Sequence, residues 1–153
     1  MIRRGKAVEK IEKSIEVNVP VHLVYSQWTE FEAFPRFMGG VKEVKKLDDN
    51  RLRWRAEIRG KEVEWDARIT RQTPDEVIAW VSISGIQNCG TVTFKSTDQN
   101  KTRITLIMEI ESKEISGNTE DFVRVVSGQI EGDMKHFKEF IEERGEIGTE
   151  TES

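Results

Sequence analysis

The chain has 153 residues, enough for one domain with one core and too few for two ordinary domains. Its 24 basic and 28 acidic residues are spread along the whole length and leave a net charge of −4, so no basic stripe follows a phosphate backbone and nucleic acid is not an expected partner. The single cysteine, Cys89, excludes an internal disulfide and a cysteine-rich zinc site. MIRRGKAVEK at the start has no apolar run for a signal peptide, and the longest apolar stretches are strand-sized, so a cytoplasmic protein without a membrane span is expected.

In KSIEVNV, residues 13 to 19, Ile15, Val17 and Val19 alternate with polar neighbours at the period of a half-buried strand. Pro20 stops the ladder and suits the first turn of a helix, so PVHLVYSQW reads as a short helix with Val21, Val24, Tyr25 and Trp28 near one face. A second short helical piece, EFEAF, is expected to end before Pro35, because the residue preceding proline avoids the α region. Gly39 and Gly40 close it.

The stretch RLRWRAEIRGKEVEWDARI alternates Leu52, Trp54, Ala56 and Ile58, then Val63, Trp65, Ala67 and Ile69, against charges, and reads as a hairpin. With Gly60 and Lys61 as its turn, Trp54 faces Ala67, Ala56 faces Trp65, Arg55 faces Asp66 and Arg59 faces Glu62. TPDE at 73 to 76 is a turn leading into the strand EVIAWVSIS. After GIQNCG come TVTFK and, across TDQNK, the strand TRITLIMEI. Thr119 can cap a final helix running to about Arg144, with Phe122, Val126, Ile130, Met134, Phe137 and Ile141 at spacings of three and four. The acidic GEIGTETES has no periodicity and reads as a frayed tail.

A strand, two short helices, six antiparallel strands and a long amphipathic helix define an α+β layout, in which the one-sided sheet needs the one-sided helix as cover. A sheet of seven strands curls, and a straight helix in its concave side cannot touch every inward residue, so a gap is expected between helix, sheet and short helices. The expected organisation is an extension over 1–11, a folded domain over 12–144 and a disordered acidic tail over 145–153.

The segments VNVPVHLVYSQWTEFEAFPRFMGGVKEV at 17 to 44, IRGKEVEWDARITRQTPDEVIAWVSISG at 58 to 85, NCGTVTFK at 88 to 95 and TRITLIMEI at 102 to 110 resemble, in sequence and spacing, the polyketide cyclase/dehydrase and lipid-transport group of the START-like, birch-pollen-allergen-like superfamily. That resemblance implies the helix-grip fold, a curved seven-stranded antiparallel sheet around a long C-terminal helix, and a hydrophobic small molecule as partner: a lipid, an isoprenoid or quinone, or a polyketide-like compound. It equally covers aromatases, cyclases and dehydratases that use the same cavity, and a ribosome-associated branch that acts as a macromolecular interaction module.

The inward positions Trp54, Trp65, Ile78, Trp80, Ser82, Val92, Phe94, Leu106 and Met108, facing Phe122, Val126, Ile130 and Met134, are the expected cavity wall, against the alternative that they pack together as ordinary core. Within WTEFEAFPRFMGG, Trp28, Phe31 and Phe34 read as packing, and Phe37 and Met38 as the border of the cavity mouth. Ser82, Ser84 and Asn88 are candidate polar contacts, with hydrogen bonding to local backbone as the alternative. No catalytic constellation, metal-ligand set or cofactor motif is found: His22 and His136 read as solvent-facing, Cys89 as an inert thiol, and Glu57, Glu62, Glu64 and Asp66 as outward. Shaping a reactive chain in a cavity needs no triad, so the absence leaves catalysis open. Gly128 and Gly132 fall opposite the apolar stripe of the long helix. On the outer sheet face Val77, Ala79, Val81, Ile83, Thr91, Thr93 and Ile107 form a strip with few charges; Val81, Ile83 and Ile107 make it a candidate homodimer surface, ordinary β propensity being the alternative.

Overall fold

The computed structural model describes residues 8–36, 38–58, 60–85, 87–111 and 119–152. Strand β1 (Val8–Val17) leads through Pro20 into helix α1 (Val21–Trp28) and a 3-10 helix (Phe31–Arg36). A meander follows, of β2 (Val41–Asp48), β3 (Arg51–Ile58), β4 (Lys61–Thr73), β5 (Val77–Gly85), β6 (Asn88–Asp98) and β7 (Lys101–Glu111), and the chain ends in α2 (Thr119–Glu152). The strands form one antiparallel sheet in the order β1-β7-β6-β5-β4-β3-β2, so the first two strands are its opposite edges.

Several boundaries differ from those expected. Strand β1 begins at Val8 and pairs with β7 over its whole length, so residues 8 to 11 belong to the sheet and not to an extension. Its inward alternation runs Ile11, Lys13, Ile15, Val17; Lys13 breaks the apolar pattern because its ammonium reaches across to Glu131 of α2 at 3.0 Å. The 3-10 helix carries Pro35 inside it instead of ending before it, since in a piece of six residues the missing N–H of proline forfeits little. Helix α2 continues past Arg144 to Glu152, through the stretch read as a tail; once a helix is nucleated each further residue adds a hydrogen bond.

The β3–β4 hairpin keeps its expected faces but slips by two residues. Ile58 pairs with Lys61, and the positive φ that a tight turn between them needs falls on Gly60 at 76°. Trp54 therefore lies opposite Trp65, the rings stacked at 5.9 Å and 2° apart, and not opposite Ala67. Outside, the ion pairs are Arg53 with Asp66 at 2.8 Å and Arg55 with Glu62 at 3.1 Å.

Two buried clusters lie between sheet and helix. The larger gathers Val17, Val24, Trp28, Phe34, Phe94, Ile104, Phe137 and Ile141; Phe137 has no exposed surface and meets Trp28 edge to face at 4.9 Å. Phe94 belongs here, packed on Tyr25 at 5.4 Å and Trp28 at 5.9 Å. The smaller cluster is Ile11, Ile110 and Val126, and Ile130 packs against both. Beyond the apolar contacts, Glu142 accepts the Asn18 backbone N–H at 2.8 Å and Lys138 donates to the Glu16 carbonyl at 2.9 Å, tying α2 to the end of β1. Among the described residues, no helix is long and apolar enough to cross a membrane.

The glycines separate packing from propensity. A side chain at Gly90 would strike the Ile107 carbonyl and the Trp80 ring, whereas nothing stands within 4 Å of a Cβ at Gly128 or Gly132. Gly90→Ala is expected to destabilise by about 2–3 kcal/mol through overpacking. Gly128→Ala should instead stabilise by about 1 kcal/mol, raising Tm by about 2–4 °C. Calorimetric melting of the two variants checks both, and a Gly128→Ala variant with a lowered Tm would contradict the open surroundings of that position.

Candidate functional site

The gap between the two clusters is a cavity of about 180 Å³, partly open to solvent. Its walls are almost wholly apolar. Strands β3 to β7 contribute Trp54, Trp65, Ile78, Trp80, Val92, Leu106 and Met108, and α2 contributes Val126, Ile130 and Met134. Of the expected mouth residues, Met38 is on the wall and buried. Phe37 lies outside the described residues, and Phe122 outside those whose side chains are described.

Trp28, Phe31 and Phe34, read from sequence as packing, also line the cavity. They do so because the 3-10 helix lays its apolar edge against the sheet: Phe34 meets Trp54 edge to face at 5.4 Å and Trp28 at 5.5 Å. Phe94 is not on the wall, being taken up by Tyr25 and Trp28. Two alanines create space. Ala56 and Ala67 are buried beside the stacked Trp54–Trp65 pair, and both line the cavity.

The serines do not provide polar contacts to the cavity. Ser82 is not on the wall; its hydroxyl accepts the Asn88 backbone N–H at 3.0 Å, the local bonding considered as the alternative. Ser84 is turned to the other face. An irregularity in the β4–β5 ladder places Asp66 opposite Ser84 but Ala67 opposite Ser82, which reverses the alternation at Ile83. Ser84 then hydrogen-bonds the outward carboxylate of Asp66. Asn88 is on the wall and buried, its side-chain oxygen accepting the Trp80 indole N–H at 2.8 Å, so the indole is fixed by a polar contact inside an apolar site.

Sequence reasoning missed the polar corner where α2 crosses the Gly39–Gly40 turn. Gln129 and Asp133 both line the cavity. The Gln129 amide lies where a side chain of residue 40 would be, and its Nε2 donates to the Glu57 carbonyl at 3.2 Å, while Glu57 N donates to the Gly40 carbonyl at 2.8 Å. Asp133 accepts the backbone N–H groups of Gly39 and Gly40. Burial outweighs those bonds and the nearby His136, and pushes the Asp133 carboxyl up to about 6. The signal was present in the helical spacing, since Asp133 is seven residues after Val126 and three after Ile130, on the flank of the apolar stripe.

The remaining titratable candidates stay out of the site. His22 and His136 are exposed, His22 standing 3.5 Å from Asp75. Burial, reinforced by Glu109, pushes the Cys89 thiol up, which keeps it protonated and unreactive. No group of three His, Cys, Asp or Glu among the described residues is placed to hold a metal ion. Of the residues expected on the outer face of the sheet, Ile83 is exposed, at the ladder irregularity, while Val81 and Ile107 are half-buried.

A curved antiparallel sheet gripping one long helix around an apolar cavity defines a START-like helix-grip protein. The chain belongs to the polyketide cyclase/dehydrase and lipid transport family, whose sequence profile matches residues 17–139. It is 41% identical over 140 residues to an uncharacterised 17.2 kDa protein in the melC2-rnhH intergenic region of Streptomyces lincolnensis, covering 91% of this chain and 93% of that protein. Among solved structures, a START superfamily protein from Mycobacterium smegmatis superposes with a TM-score of 0.71 at 17% identity, over 90% of this chain and 97% of that one. The Zhui aromatase/cyclase from Streptomyces sp. R1128 gives 0.71 at 13% identity, over 91% and 94%.

The raised Asp133 carboxyl has a consequence for stability. Between its ordinary value of 3.8 and about 6 the folded chain keeps a proton that the unfolded chain has lost. This contribution to stability is therefore full at low pH, declines as pH rises through that window and is gone above it. Asp66, held low by hydrogen bonds from Arg53, has the opposite sign, so the difference between parent and variant isolates Asp133. Asp133→Asn should gain on the parent by on the order of 2 kcal/mol between about pH 4 and about pH 7 in urea denaturation. A difference that is flat with pH would mean that the carboxyl ionises normally.

Proposed function

We propose that the chain binds a hydrophobic small molecule, of the lipid, isoprenoid, quinone or polyketide-like class, in the cavity between the sheet and α2. The observation that carries this is the unfilled space itself, walled by Trp54, Trp65 and Trp80 and by Met38, Met108 and Met134. Ordinary cores close such gaps, because every wall atom without a neighbour forfeits dispersion energy. Cavities of about 150 Å³ with apolar walls stay dry and take up single aromatic rings, so this one accommodates a ring system or a short apolar chain segment. Each 100 Å² of apolar surface that a ligand removes from water gains roughly 2.5 kcal/mol before the costs of ordering it. Methionines supply adaptable walls, which suits a range of related shapes.

A second reading is a cyclase, aromatase or dehydratase acting on a similar molecule in the same cavity. It is favoured by Asp133, the one titratable side chain among the described residues of the wall, whose carboxyl at about 6 is suited to exchange a proton near neutrality. Carrier and enzyme share the binding step and differ in turnover.

Organic extraction and native mass spectrometry of the purified protein are expected to recover an apolar compound, and a neutral lipophilic dye should bind and be displaced by it. Ala67→Phe, which fills the space beside Trp65, should abolish dye binding while circular dichroism still reports the α+β fold. Retention of dye binding by a folded Ala67→Phe variant would remove this cavity as the site. Conversion of a recovered polyketide-like compound, lost in Asp133→Asn, would decide for the enzyme.

A further inference from the structure

Resting on the cavity as a binding site, we propose that its ligand carries a hydrogen-bond-donating head, a hydroxyl, phenol or amine, seated at the Asp133–Gln129 corner, and that carboxylate and phosphate heads are rejected there. Three observations converge on this. First, acceptors outweigh free donors at that corner. One N–H of the Gln129 amide donates to the Glu57 carbonyl, which leaves its carbonyl oxygen and one further N–H, while an ionised Asp133 has only acceptor sites. The two amides from Gly39 and Gly40 occupy part of that capacity, because two oxygens offer about four lone-pair sites.

Second, no cation balances an anionic head. Among the described residues of the wall there is no Lys, Arg or His. His136 acts on Asp133 from the following turn of α2 but is exposed and is not part of the wall. An anion there would stand beside a carboxylate in a partly desolvated site, an unpaired like-charge contact that costs affinity directly. Third, the other polar group of the wall has its oxygen engaged, since Asn88 Oδ1 accepts the Trp80 indole N–H at 2.8 Å. The acceptor pair on α2 therefore stands apart from the Trp80–Asn88 contact, and it fixes which end of an amphipathic molecule faces the Gly39–Gly40 turn while the apolar part lies along Trp54, Trp65 and Met108.

The test uses probes that share one ring system and differ in the head: naphthylmethanol, naphthylmethylamine and naphthoate, with naphthalene as the headless reference, titrated into the full chain by calorimetry at neutral pH. The alcohol and the amine should bind at least about tenfold more tightly than naphthoate. Asp133→Asn should weaken the amine by about tenfold and strengthen naphthoate, with naphthalene unchanged. Gln129→Lys serves as a second variant, because its ammonium can still donate to the Glu57 carbonyl while supplying a cation; it should turn the preference toward naphthoate. Naphthoate binding as tightly as the amine in the parent, or a rank order unmoved in a folded Gln129→Lys variant, would overturn the proposal. If naphthalene itself fails to bind, the apolar-cavity reading fails instead.

Discussion

Everything in this molecule depends on where α2 is pinned. Phe137 has no exposed surface, and its ring is held edge to face by Trp28, with Met134 and Ile141 buried on the same helix. This fixes the middle of the helix against α1 and the ends of β1 and β7, where Val17, Thr102 and Ile104 are closed from water. From there toward its N-terminus the helix crosses a sheet that curves away from it. Contact is regained at Val126 with Ile11 and Ile110, and Ile130 spans the interval. The cavity is that interval. It follows from joining a straight rod to a twisted surface at two places, and no single residue creates it.

The electrostatics of the site follow from the same placement. A rod pinned at Phe137 brings Gln129 and Asp133 over the Gly39–Gly40 turn, close enough that the Gln129 amide takes the place a Cβ of residue 40 would have. There the helix is attached to the edge of the sheet by an amide and a carboxylate instead of by apolar contact. The carboxylate is satisfied by backbone N–H groups, yet it is withdrawn from water, and desolvation dominates its ionisation. An otherwise apolar cavity thus acquires a polar corner with a definite sign.

Much of the fold was legible because side-chain alternation is a local property. Leu52, Trp54 and Ala56 announce their face whatever they pair with, and slipping the hairpin by two residues keeps every side chain on its expected side. The slip itself was not legible: Arg55 facing Asp66 and Arg53 facing Asp66 are equally good charge pairs on paper, and only the pairing of Ile58 with Lys61 at the turn chooses between them. Ser84 was misread for a related reason, since a ladder irregularity has no signature in the alternation of a single strand. Lys13 hid the true start of β1 because its inward position is rewarded by Glu131, more than a hundred residues away in the chain.

The sequence by itself determined the strands, the apolar stripe of the long helix and membership of the family, since each is written in periodicity and in the identity of neighbouring residues. Only the tertiary structure decided which of the packed residues also face a gap: Phe94 is packed away from it, while Trp28 and Phe34, core residues themselves, line it together with Phe31. It also made an aspartate that reads as one more charge on a helix into a titratable side chain of the cavity wall. Periodicity specifies a face, whereas a void and a desolvated carboxyl depend on distances between elements that no local pattern encodes.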